Sequence, residues 1–137
     1  MNIETGAVLV SLKKHMHWLF RVLLIILGNA FALWLANKYI AGFVLSGNWL
    51  QIIFVALILT LLNFFLKPVF TLILGPIIIL TLGLGILIVN AIILYLLPIL
   101  ASHIDFLHGS IIIQSIPALF LATLIVSIVN FIIHLAL

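Results

Sequence analysis

Apolar residues fill four long runs of this chain, and most polar residues fall in the gaps between them. The runs cover about residues 18–36, 48–67, 76–97 and 115–137, each near the roughly 20 residues a helix needs to cross a bilayer. The pattern predicts an all-α membrane protein, with residues 1–137 forming a single transmembrane domain of four spanning helices.

The breaks between runs carry their own signals. Met1–Leu12 is a mixed, weakly apolar leader, expected to fray or lie at the interface. Asn37–Gly47 reads as the first turn, with Lys38, Tyr39, Gly42, Ser46 and Gly47 as breakers. Asn48 is placed to N-cap the second span, Trp49 to sit at interface depth, and Lys67-Pro68 to end that span. Pro68–Gly75 is apolar but too short to cross, so a short interfacial or re-entrant segment is expected there. Pro76 suits a first helical turn, Pro98 is expected to stop the third span, and Pro117 falls in the first turn of the fourth. The apolar character of the fourth span begins as early as Ile111.

Composition removes whole classes of function. Of 137 residues 68% are hydrophobic and 5% charged, against about 25% charged in ordinary soluble domains, so lipid is the solvent for most of the chain. The absence of cysteine excludes disulfides and thiolate chemistry. Lys13 to Arg21 followed by Val22–Ala36 resembles a signal peptide, but Trp34-Leu35-Ala36-Asn37 offers no cleavage site, and the segment is read as the first span. Lys13, Lys14, Arg21 and Lys67 flank one side of the spans and only Lys38 the other. The positive-inside rule then places both termini in the cytoplasm. Such a small basic cluster reads as a topology signal and an anionic-lipid contact, not a nucleic-acid surface.

An internal repeat is visible. Asn29-Ala30-Phe31-Ala32-Leu33-Trp34-Leu35 aligns with Asn90-Ala91-Ile92-Ile93-Leu94-Tyr95-Leu96, and Thr60-Leu61-Leu62-Asn63-Phe64 with Ser127-Ile128-Val129-Asn130-Phe131. The four spans are therefore expected to form two tandem two-helix repeats. Two crossings per repeat give both halves the same sense, with a pseudo-two-fold axis along the membrane normal.

The series Asn63-Phe64-Phe65-Leu66-Lys67-Pro68, Gly75-Pro76, Thr81-Leu82-Gly83-Leu84 and Asn90-Ala91 resembles the hallmark of the four-transmembrane-segment phage holin superfamily IV. That pattern runs N-x-x-x-(R/K)-P, L-P, T-L-G-L, N-A, and the likeness covers most of the chain from about Val22. Gly75-Pro76 stands where Leu-Pro is usual, and Ile104–Pro117 is longer than the family's usual second loop. The resemblance implies a small multi-pass protein of the bacterial inner membrane that acts as an oligomer, forming a hole or perturbing the bilayer.

Few residues could carry chemistry. Asn29 and Asn90 fall at mid-depth, Asn63 and Asn130 toward the inner end. With Thr60 and Ser127 three residues before the latter two, they outline a polar seam that either glues helices together or lines a path. Gly83 and Gly85 are small residues suited to close helix packing within the third span. Lys13, Lys14, Arg21, Lys67 and Trp49 are the expected interface anchors. His15 and His17 add to the basic collar, and His134 faces either headgroups or the seam. His103, Asp105 and His108 lack a fourth ligand and read as a solvated, pH-sensitive loop. No metal, cofactor or catalytic set is implied, and no enzyme is expected. The expected partners are the lipid bilayer and further copies of the chain. The alternatives are a non-lytic scaffold or partner subunit, and a small-solute channel along the asparagine seam.

Overall fold

The computed structural model describes residues 2–137 and contains four helices long and apolar enough to cross a membrane. The elements run α1 (Ile3–Tyr39), β1 (Phe43–Leu45), α2 (Trp49–Ile73), α3 (Gly75–Leu80), α4 (Gly85–Ser102), a single 3-10 turn (Asp105–Leu107), β2 (Ile111–Ile113) and α5 (Ile116–Ala136). Helix α1 packs against α2 and α5, and α4 packs against the same two. The bundle is thus a ring in the order α1, α2, α4, α5.

Each of the four long helices buries one stripe. Asn29, Ala32, Leu33 and Ala36 face inward on α1, Val55, Ala56 and Leu59 on α2, Val89, Ile93, Leu94, Leu97 and Ala101 on α4. On α5 the stripe is Ala118, Ala122, Thr123, Val126 and Asn130. Spacings of three and four residues keep these on one face, and Leu33, Leu59, Ile93, Leu94 and Leu97 fill the centre.

The helix starts follow the capping residues. The Asn48 side chain accepts from the Gln51 backbone N–H, and the Gln51 side chain accepts from the Asn48 N–H, a reciprocal capping box. Ser115 caps α5 by accepting from the Ala118 N–H, with Pro117 in the first turn.

The boundaries correct several expectations. The leader does not fray: α1 runs unbroken from Ile3, capped by Asn2, so the helix of the first span begins well before Trp18. Pro68 does not end α2, which continues to Ile73, and Pro98 does not stop α4, which continues to Ser102. Each proline removes one backbone bond, but ending the helix in apolar surroundings would orphan several carbonyls at once. The third span does not begin at Pro76. Pro76 opens the short α3, a turn follows at Thr81–Leu84, and α4 starts at Gly85.

The all-helical architecture also carries a small addition. β1 and β2 pair antiparallel, Phe43 with Ile113, Val44 with Ile112 and Leu45 with Ile111. Phe43, Leu45, Leu107 and Ile111 are buried, so this ribbon closes one end of the bundle.

Candidate functional site

The two mid-span asparagines each reach across to a neighbouring helix. Asn29 Nδ2 donates to Thr60 Oγ1 at 2.8 Å, joining α1 to α2. Asn90 Nδ2 donates to Ser127 Oγ, also at 2.8 Å, joining α4 to α5. The Thr60 hydroxyl donates in turn to the Ala56 carbonyl. Thr60 and Asn63 therefore do not form the same-helix amide–hydroxyl pair their spacing suggests; the partner lies at equal depth on the antiparallel neighbour.

The two pairs differ in cover. Asn29 is wholly buried, and its Oδ1 has no hydrogen-bond partner among the described residues. Asn90 is half-buried. Asn130 is buried on α5, and its backbone carbonyl accepts from His134 Nδ1 at 2.7 Å. Asn63 is half-buried and makes no side-chain hydrogen bond among the described residues. The polar residues thus form two interhelical clasps.

Gly83 and Gly85 have different roles. Gly85 is buried, and a Cβ there would lie 2.9 Å from the Ile78 Cα, so its lack of a side chain lets α4 start against α3. Gly83 has open space around it and a φ of +94°, while Leu82 beside it sits at +56°. Gly83 is a turn residue, not a packing residue. Thr81 ties the turn together: its hydroxyl donates to the Ile77 carbonyl at the end of α3 and accepts from the Gly85 N–H at the start of α4.

Charge is placed asymmetrically. Lys13, Lys14 and Arg21 are exposed on α1 and Lys67 is half-buried on α2, all toward the end opposite the ribbon. Lys38 lies at the ribbon end, 5.1 Å from the Trp34 ring centroid and 5.4 Å from that of Tyr39. Trp49 is exposed beside the ribbon. His103, Asp105 and His108 are exposed, and among the described residues no group of three or more His, Cys, Asp or Glu is placed to hold an ion.

Sequence reasoning missed a groove of about 710 Å³ between α4 and α5, lined by Leu84, Ile88, Ala91, Tyr95, Leu119 and Phe120. No local pattern signals it, since its walls come from two separate helices.

A family model described as "mycobacterial 4 TMS phage holin, superfamily IV" matches residues 20–132. No curated protein and no solved structure matches the chain.

Proposed function

The chain belongs to the four-transmembrane-segment phage holin superfamily IV, and from that membership we propose that this small holin-like membrane protein acts as an oligomer that opens or perturbs the bilayer. The observation that carries the proposal is the filled interior. Leu33, Leu59, Ile93, Leu94 and Leu97 occupy the centre of the ring, so a path through a single bundle is closed and any hole requires several copies. The same packing counts against a solute channel along the asparagines, whose amides are engaged in helix-to-helix bonds. We place the protein in the bacterial inner membrane with both termini cytoplasmic, since four of its five Lys and Arg residues lie toward the end opposite the ribbon. In that orientation α3 and its turn lie at the inner interface.

A duplicated two-helix unit is part of this reading. The offset that carries Asn29 onto Asn90 also carries buried Ala32, Leu33 and Ala36 onto buried Ile93, Leu94 and Leu97. The offset that carries Thr60 onto Ser127 also carries Val55, Ala56 and Leu59 onto Ala122, Thr123 and Val126, again all buried. Matching bonds and matching buried stripes support two halves related by a rotation along the bundle axis. The role is read as non-enzymatic: the two acids, Glu4 and Asp105, lie at opposite ends of the molecule, so no carboxylate pair forms.

A non-lytic scaffold is the second reading, favoured by the apolar exterior, where Leu27, Phe31, Phe64, Ile88, Phe120 and Ile128 are exposed. Dye-filled vesicles separate the two. Leakage that rises more steeply than linearly with protein density, together with a multimeric mass in nanodiscs, is the expected result. A monomeric mass with no leakage at any density leaves the scaffold.

A further inference from the structure

Helix α1 is far longer than a crossing requires. Its 37 residues span about 55 Å at 1.5 Å per residue, against a hydrocarbon core of about 30 Å. Ile3 to Phe20 project from the end opposite the ribbon, almost entirely exposed. This projection is two-sided. At about 100° per residue, Val8, Leu9, Leu12, Met16, Leu19 and Phe20 fall within one arc of about 120°. Glu4, Ser11, Lys13, Lys14, His15, His17 and Arg21 all fall outside it, as do Val10 and Trp18, and Thr5 is the one polar residue of the projection inside it. Leu12 and Met16 are 55% and 68% exposed. The same arc continues down the helix through Leu23 and Leu27, which are exposed on the outer, lipid-facing side of the bundle.

We propose that the α1 leader docks, apolar stripe down, on the anionic lipid surface of the leaflet at its own end of the bundle. Three features select that occupant. The leader carries Lys13 at the edge of the stripe and Lys14 on the far side, with Glu4 as its one acid, and Arg21 follows just past the bend, so the segment is net positive and the surface it complements is negative. The stripe shares its direction with the lipid-facing residues of the span, so an outward bend near Trp18 turns it onto the membrane without rotating the helix. The bend opens a few backbone hydrogen bonds at headgroup depth, where water replaces them. A second copy covering the same stripe would have to bring a second net-positive leader alongside the first.

The native chain has no cysteine, which makes single-site spin labels clean. Leu12→Cys and Met16→Cys report the stripe, and Ala7→Cys and Ser11→Cys the opposite face, in the full chain reconstituted into phosphatidylcholine vesicles with or without phosphatidylglycerol. With phosphatidylglycerol, positions 12 and 16 should be shielded from a water-soluble relaxation agent while 7 and 11 stay accessible. Each cation near such a surface contributes about fivefold in partitioning, so Lys13→Gln with Lys14→Gln should weaken docking about 25-fold and restore accessibility at 12 and 16. Circular dichroism confirms that each variant keeps its helices. Equal accessibility on both faces overturns the proposal, as does shielding that ignores phosphatidylglycerol. Shielding lost on diluting the protein in lipid also overturns it and assigns the stripe to a second copy.

Discussion

At the residue scale, the Asn29 clasp is unequal in a measurable way. Removing the amide by Asn29→Leu strands nothing, because the Thr60 hydroxyl still donates to the Ala56 carbonyl. Removing the hydroxyl by Thr60→Val leaves the wholly buried Asn29 amide without its one side-chain partner. Thr60→Val should therefore cost roughly 1–3 kcal/mol, the penalty of an unmade buried bond. Asn29→Leu should stay near the roughly 0.6 kcal/mol average of interhelical bonds in membranes. Unfolding in detergent compares them, and a costlier Asn29→Leu would contradict the asymmetry. The glycines give a second contrast. A Cβ on Gly85 meets the Ile78 backbone, while one on Gly28 meets only the outer atoms of the Ile133 side chain. Gly85→Ala should destabilise by about 1–3 kcal/mol. Gly28→Ala should cost little, since Ile133 can turn aside and the mid-helix Ala recovers about 0.5–1 kcal/mol. Equal melting shifts for the two would argue that α3 yields to α4 without resistance.

At the element scale, the ribbon belongs to the core and is not a solvated loop. Phe43 is buried, Ser46 N–H donates to the Ser110 carbonyl at 2.8 Å, and the Gln51 side chain donates to the Phe106 carbonyl at 2.8 Å. Phe43→Ala should cost about 3–5 kcal/mol, whereas Phe31→Ala, on the exposed face of α1, trades lipid contact for lipid contact and should cost far less. Comparable losses in a denaturant titration would place Phe43 outside the core. The four long helices and the Asn48 cap were legible, because each rests on neighbours in sequence. The ribbon was not: it pairs two three-residue segments more than sixty positions apart, and neither segment is long enough to announce a strand. Pro68 and Pro98 misled as stops because local propensity yields where an ended helix would orphan more backbone groups than a kept proline. Asn29, Thr60, Asn90 and Ser127 were found, but their pairing is a tertiary fact that spacing along one helix cannot supply. In the leader, opening about three helical bonds costs about 3 kcal/mol. Lys13 and Lys14 offset about 1 kcal/mol of that each near an anionic surface, and burial of the apolar stripe supplies the remainder and the net gain.

At the scale of the whole molecule, the arrangement of charge makes a claim about direction. An even number of crossings puts α1's leader and the α5 C-terminus at one end and the ribbon with Asp105 at the other. Lys13, Lys14, Arg21 and Lys67 lie toward the first end and Lys38 at the second, where it rests on Trp34 and Tyr39. Moving the first set across a bilayer during insertion is disfavoured, and short loops obey that bias most strictly. Cysteines introduced at Ser11 and Ala136 should therefore resist an impermeant thiol reagent in intact cells and react after permeabilisation. One introduced at His103, exposed at the ribbon end, should react in both states. Weakening the bias should show in the same assay. Replacing Lys13, Lys14 and Arg21 with Gln leaves Lys67 against Lys38, one cation on each side, and should produce a mixed population in which both ends label in part. A variant that still inserts in a single orientation would show that some feature other than the basic collar sets the topology.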